Sequence, residues 1–232
     1  MISSGFWLAE DMDPIAEWTS AQQRVIELMT GPGAEQSGRV VPACPDWTVR
    51  DLLSHMVGLG ADVVAGVEPG DHNAAWTQRQ VDERRDRDVA ALLDEWRAVA
   101  EPLREWMRDH GARPLGDVII HEQDLRGAVG VPGGQSSAGL AAIRDRFVDR
   151  FAAGLDGLAP IALVGPGWQW VSAGSVDGAA VVVRAPDFDL ARALVSRRSA
   201  RQLGDWTERG DITPYLPAFA VLGELPAGDL QE

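Results

Sequence analysis

The sequence predicts a mainly α-helical protein, with a four-helix bundle over residues 1–133 and a small α+β domain over residues 139–232. Two observations support this fold class. Apolar residues recur three or four positions apart in four long stretches of the first 133 residues, which is the spacing of amphipathic helices. After the glycine-rich linker 133–139, short apolar runs separated by glycines have the length of β-strands.

The first two helices have clear start signals. Asp13-Pro14 places a capping side chain before a proline at the first helical position, and Gly31-Pro32-Gly33 ends the helix. The second helix follows a proline-rich turn and opens with a capping-box pattern at Thr48 and Asp51. Its predicted buried face consists of Leu52, Leu53, Met56, Leu59 and Val63.

The next two helices are separated from these by a charged stretch. Residues 78–88 carry so many charges that we expect a solvated helical segment. A long third helix begins at Val89, with Pro102 expected to bend it. The fourth runs from about Gly116 to Val129 and ends at a glycine followed by a proline.

The C-terminal third changes pattern. A further helix is predicted over residues 140–151, then three strands over 161–164, 168–172 and 179–184. Asp187 opens a helix that continues to about Val195. This alternation predicts an α+β module.

Composition excludes several classes of function. All 21 basic residues are arginine, so a Schiff-base lysine, a pyridoxal-phosphate lysine and a Walker phosphate loop are excluded. The net charge of −14 argues against nucleic acid and anionic membrane surfaces as partners. No apolar run is long enough to span a membrane, and residues 1–10 lack a secretory signal pattern, so we expect a cytoplasmic protein.

Cys44 is the only cysteine, which rules out an intrachain disulfide and a cysteine-rich zinc site. It lies in a proline-rich stretch with no histidine close in sequence. We therefore interpret it as a small packing residue in a turn rather than a nucleophile.

Two of the four histidines lie where a helix faces the core. His55 falls on the apolar face of the second helix, and His121 follows Asp117 by four residues, so both side chains project from one helix face. Three such groups from two helices could bind a divalent metal. The alternatives are a hydrogen-bonded core histidine and a simple ion pair. His72 and His110 fit an exposed loop and a helix C-terminus.

Three stretches, 45–55, 76–93 and 116–126, resemble the DinB-like, mycothiol-dependent maleylpyruvate isomerase family. The run from Trp47 to His55 is the most specific of them. A weaker similarity over 165–210 resembles the sterol-carrier-like C-terminal domain of that family. The resemblance thus implies a DinB-like bundle followed by a sterol-carrier-like domain.

The resemblance also implies a site. In the family, the corresponding residues bind a divalent metal, usually zinc, which assigns this role to His55, Asp117 and His121. Nickel and manganese are the alternatives. The family commonly has glutamate where this chain has Asp117, whose side chain is one methylene shorter, so we expect the metal to sit differently or to bind more weakly.

Two further residues have candidate roles. Asp124 lies three residues after His121 and could support its imidazole N–H or instead form a salt bridge with Arg126. Arg197 resembles a family arginine that could bind an anionic substrate, and a solvated charge pair is the alternative.

The resemblance implies a metal-dependent enzyme that uses a low-molecular-weight thiol, mycothiol, on a small electrophilic substrate. The reaction would be isomerisation through an adduct or transfer of sulfur. The alternative is a non-catalytic protein that binds a metal or an apolar ligand. The sequence leaves a monomer and a homodimer equally open.

Overall fold

The structure is a computed structural model that describes residues 12–69 and 73–232. The chain divides into two compact units, one extending to Gly139 and including Glu232, the other formed by Leu140–Gln231. His72 and residues 1–10, for which the sequence made predictions, lie outside the described residues. Among the residues described, no helix has both the length and the apolar composition needed to cross a membrane.

The first unit is helical. Its helices are α1 (Pro14–Thr30), α2 (Pro32–Glu35), α3 (Val49–Ala65), α4 (Ala74–Asp82), α5 (Val89–His110) and α6 (Arg113–Val129). α3 packs against α5 and α6, and α1 packs against the same two helices. These four long helices form the bundle, and the predicted mainly α fold class is confirmed.

Local signals set the helix ends. The side chain of Asp13 accepts hydrogen bonds from the backbone amides of Ile15 and Ala16 at the start of α1. Thr48 and Asp51 form both halves of the capping box that starts α3. Gly130 ends α6 with a φ of 70°, a left-handed conformation that glycine adopts without strain.

A short β-hairpin replaces the predicted turn before α3. Val40–Val41 forms β1 and Cys44–Thr48 forms β2, and the two strands pair antiparallel. β2 contacts α3, while β1 contacts both α3 and α6. The hairpin therefore brings Cys44 and Trp47 close to the two helices that carry the predicted ligands.

The stretch 78–88 is less solvated than its charges suggested. Gln80 is completely buried, and Val81 and Arg84 are also buried. Arg84 pairs with Glu95 of α5 at 2.7 Å, which compensates the burial of its charge. The prediction of a solvated segment is wrong for these three side chains, because α4 packs along α3.

The second unit contains a four-stranded sheet. Its strands are β3 (Ile161–Val164), β4 (Gln169–Val171), β5 (Val181–Arg184) and β6 (Thr207–Arg209). The strand order is β4-β3-β5-β6, with β3 and β5 parallel and the two outer pairs antiparallel. β6 was not anticipated, since its three residues are polar and show no apolar alternation.

Helices complete the second unit. They are α7 (Ala138–Ala153), α8 (Asp187–Leu194), α9 (Ala200–Asp205) and α10 (Leu216–Phe219), with a 3₁₀ turn at Thr213–Tyr215. The rings of Phe151 and Phe219 lie 4.4 Å apart in the core, and the ring of Phe151 lies 5.7 Å from that of Trp170 in β4. The three predicted strands and the helix at Asp187 are confirmed, each within two residues at its ends.

Candidate metal centre

The three predicted ligands converge between α3 and α6. His55 is the seventh residue of α3, and Asp117 and His121 lie one turn apart on α6. Asp117 Oδ1 lies 3.2 Å from His55 Nε2 and 3.5 Å from His121 Nε2. The imidazole rings meet edge to face, with their centroids 5.2 Å apart. One ligand atom from each residue lies within 4.8 Å of the other two.

The outward-facing nitrogens of both imidazoles have hydrogen-bond partners. His121 Nδ1 lies 2.8 Å from Asp124 Oδ2, and since a carboxylate only accepts, Nδ1 donates. His55 Nδ1 lies 2.7 Å from Gln80 Oε1. In a neutral imidazole whose Nδ1 carries the proton, Nε2 has a lone pair and accepts. Both Nε2 atoms therefore point as acceptors toward the centre of the site.

This arrangement suits a divalent metal ion. Two neutral imidazole lone pairs and a carboxylate oxygen face one another, and only a cation or an added proton can make such contacts favourable. In a tetrahedral zinc site with bonds of about 2.1 Å, neighbouring ligand atoms are about 3.4 Å apart. The observed separations of 3.2 and 3.5 Å fall on either side of that value.

The electrostatics of the metal-free site are those of an ion pair. Burial disfavours the charged imidazole, but attraction and hydrogen bonding to Asp117 still raise the pKa of His55 above its ordinary value. Burial likewise opposes ionisation of Asp117, yet the two histidines lower its pKa. In the absence of metal, a proton on His55 therefore stabilises the site.

Two side chains of β2 border the site. The indole ring of Trp47 lies 5.1 Å from the ring of His55, and its Nε1–H donates to Gln78 at 3.0 Å. Cys44 Sγ lies 3.8 Å from Asp124 Oδ2. Cys44, His121 and Asp124 form a second group whose spacing could hold a metal, and it shares His121 with the first group.

The interpretation of Cys44 as a turn residue is wrong, because Cys44 begins strand β2. Its half-buried thiol lies near a histidine that is distant in sequence. The spacing of histidines along the chain could not reveal this neighbour, since the contact depends on how the hairpin packs.

Asp124 contacts the imidazole of His121, the first of the two partners predicted for it. Its side chain is fully buried and bonds to His121. Arg126 instead donates to Glu122 at 3.0 Å. Arg24 of α1 also donates to Glu122, with two nitrogens at 2.9 Å from its carboxylate. Glu122 is thereby held between two arginines on the side of α6 facing α1.

Arg197 lies in the second unit, between α8 and α9. The side chain is buried, and its Nη1–H donates to the backbone oxygen of Val195 at 3.2 Å. The alternative of a solvated charge is therefore wrong, whereas a role toward substrate stays a prediction. His110 is exposed at the end of α5 and stacks on Trp106, as its position at a helix end suggested.

The sequence interpretation missed Gln80 and Asp62. Gln80 touches His55 directly, and its amide nitrogen donates to Asp62 at 2.8 Å. Asp62 falls one residue before Val63 on α3, where its charge suggested the solvent side. The sequence offered no distinguishing signal, since Gln80 is one of two glutamines in the charged stretch 78–88.

The sequence profile of the mycothiol maleylpyruvate isomerase N-terminal domain matches residues 18–149, more than half of the chain. The chain belongs to this family. The family assignment predicted from the sequence is confirmed, and with it the resemblance to a thiol-dependent isomerase. No curated protein matches the chain.

Solved structures of the family share the fold. A crystal structure of the mycothiol-dependent maleylpyruvate isomerase with a histidine-to-alanine substitution superposes with a TM-score of 0.60 at 12% identity, covering 87% of this chain and 94% of that one. A second crystal structure of the isomerase gives a TM-score of 0.57 at 13% identity, with the same coverage. At this identity the similarity concerns the fold.

Proposed function

We propose that this protein is a mycothiol-dependent isomerase that binds one divalent metal ion, preferably zinc, at His55, Asp117 and His121. The observation that carries the proposal is the convergence of two imidazole Nε2 atoms on Asp117 Oδ1, at 3.2 and 3.5 Å. Nickel and manganese are the alternative ions. Membership of the family supports mycothiol as the thiol and a small molecule as the substrate.

The residues of the chain have distinct tasks in this proposal. His55 and His121 supply neutral nitrogen ligands, and Asp117 supplies the negative charge. Three protein ligands leave further coordination positions for a small molecule, as in catalytic zinc sites. A bound ion would supply Lewis acidity, which favours the thiolate form of a thiol beside it. The burial of His55 keeps bulk water away from one side of the site.

The proposed reaction is a cis–trans isomerisation. The thiolate adds to one carbon of an electron-poor double bond, and the π electrons move onto the electron-withdrawing group of the substrate. The former double bond is then a single bond about which the substrate rotates. The carbon–sulfur bond then breaks, the double bond re-forms and the thiolate is released. No net oxidation or reduction takes place. Arg197 is proposed to contact an anionic substrate, and the proposed location of the enzyme is the cytoplasm.

Metal analysis and turnover test the proposal together. We expect about one metal ion per chain in protein purified without a polyhistidine tag, and isomerisation of maleylpyruvate that depends on mycothiol and stops when a chelator removes the metal. His55→Ala should lose both properties. The matched control is His110→Ala, which removes an exposed histidine outside the site and should keep both.

Each contrary result has a definite meaning. Wild-type protein without metal, prepared with zinc present throughout, would refute the metal site. Stoichiometric metal without any thiol-dependent turnover would instead favour the non-catalytic metal-binding alternative.

A further inference from the structure

A buried hydrogen-bond chain leads away from His55 on the side opposite Asp117. His55 Nδ1 contacts Gln80 Oε1 at 2.7 Å, and Gln80 Nε2 contacts Asp62 Oδ2 at 2.8 Å. Arg79 Nη2 donates to the same Asp62 oxygen at 3.0 Å. Gln80 is completely buried, and Asp62 is 8% exposed.

Asp62 fixes which groups donate and which accept along this series of hydrogen bonds. An ionised carboxylate only accepts, so the Gln80 amide must turn its NH₂ group toward Asp62 and its oxygen toward His55. The amide oxygen in turn only accepts, so the proton of a neutral His55 must sit on Nδ1. Asp62, two hydrogen bonds away from Nε2, thereby determines which imidazole nitrogen has the free lone pair.

The backbone of α3 is shaped for this contact. His55, Gly58 and Asp62 lie three and four residues apart, on one face of α3. A Cβ added to Gly58 would lie 2.6 Å from Gln80 Cβ and 2.9 Å from Gln80 Cγ. Only glycine at this position lets Gln80 reach between the two other side chains.

We infer that Gln80 and Asp62 are positioning residues that hold His55 in the Nδ1–H tautomer, so that its Nε2 lone pair faces the metal. The inference rests on the proposed metal site. It extends that site to two residues that do not contact the ion. Substitution of hydrogen-bond partners of this kind commonly lowers metal affinity about 10- to 100-fold.

A pair of substitutions tests the donor and acceptor directions of these hydrogen bonds. In Asp62→Asn, the new amide can donate to Gln80, which permits the Gln80 amide to turn round and favour the other His55 tautomer. We expect zinc affinity, measured by competition with a chromophoric chelator, to fall about 10- to 100-fold. Adding Gln80→Glu to Asp62→Asn restores an acceptor opposite His55 at unchanged total charge, and we expect it to recover most of the affinity.

The matched control is Glu95→Gln. It also removes a partly buried carboxylate from an arginine, since Glu95 pairs with Arg84 at 2.7 Å. It touches none of the proposed ligands. We expect lower thermal stability and unchanged zinc affinity.

A second measurement does not depend on metal. Nitrogen-15 NMR of the full metal-free chain at a pH where His55 is neutral should show Nδ1 protonated in the wild type and a mixture of tautomers in Asp62→Asn. Unchanged tautomer and unchanged affinity in Asp62→Asn would overturn the inference while leaving the metal site intact. Loss of affinity that Gln80→Glu does not recover would also overturn it. Wild-type protein that binds no zinc would refute the proposed function, and the tautomer would still test the hydrogen-bond chain.

Discussion

His55 Nε2 and Asp117 Oδ1 lie 3.2 Å apart although 62 positions separate these residues in the sequence. The contact joins α3 to α6 and is shorter than the 3.5 Å between Asp117 Oδ1 and His121 Nε2. In the metal-free protein a proton satisfies it, and in the proposed holoprotein a metal ion does. Competition between proton and metal at this contact underlies the first two predictions.

Asp117→Asn should lower metal binding much more than it lowers the stability of the fold. The substitution keeps the shape and helical position of the side chain but removes the only negative charge among the three ligands. We expect metal affinity to fall about tenfold or more. Metal content and thermal midpoint should be measured on the same samples. If Asp117 were only an ion-pair partner of His121, stability would change by about 0.5 kcal/mol and metal content would stay at the wild-type level.

Metal binding should weaken as the pH falls toward and below the raised pKa of His55. Metal binding requires neutral His55, and Asp117 raises the pKa of this histidine. Protons therefore compete with metal for the imidazole nitrogen over a wider pH range than they would at a free imidazole. The folding stability of the metal-free protein depends on pH in the opposite direction. Protonated His55 stabilises the fold, and this contribution is fully present when the pH is below the ordinary histidine pKa of about 6.5. It is lost as the pH rises through the raised pKa of the folded state.

Thermal unfolding with and without zinc checks this pH dependence. We expect the increase in melting temperature on adding zinc to be larger at pH 8 than at pH 6. Asp117 stays ionised throughout this range because its pKa is lowered, so it does not contribute to the difference. An equal increase at both pH values would contradict the histidine assignment.

Cys44→Ser should leave the metal stoichiometry unchanged. His121 Nδ1 donates its proton to Asp124, so that nitrogen is not available as a ligand on the Cys44 side. Metal analysis of this variant distinguishes the two groups that share His121. If the metal were lost in Cys44→Ser but kept in His55→Ala, the ion would belong with Cys44 and Asp124.

Thr48→Ala should destabilise the first unit and leave the metal site intact. The hydroxyl of Thr48 accepts from the Asp51 amide at the start of α3, and loss of such a cap costs about 0.5–2 kcal/mol. Denaturant unfolding gives the free energy, and metal analysis provides the second reading. Thr77→Ala serves as the control, since Thr77 is half-buried within α4 and caps no helix. Equal stability of the two variants would show that the capping box adds nothing.

The helical fold and the helix faces that carry His55, Asp117 and His121 followed from local patterns, whereas the family resemblance assigned these residues as ligands. Helical spacing placed His55 on the buried face of α3, and a separation of four placed Asp117 and His121 on one face of α6. Caps such as Thr48 and Gly130 fixed the helix ends because they act within a few residues.

Contacts between distant segments could not be read in this way. Gln80 reaches His55 across 25 positions, and Cys44 reaches Asp124 across 80. Both depend on the path of a loop or a hairpin and on close approach of backbones, as at Gly58. Periodicity marks the buried face of a helix but does not identify the helix that covers it.

The anchoring of Glu122 between Arg24 and Arg126 has a consequence for how the protein acquires its ion. α6 carries two of the three proposed ligands, and these ion pairs hold it from the side facing α1 without any help from metal. With metal bound as proposed, the bundle would release one ion and accept another without unfolding, unlike a zinc finger, which folds only when loaded. The ion that occupies the proposed site would then depend on the supply of each metal and on its intrinsic preference for nitrogen and oxygen donors.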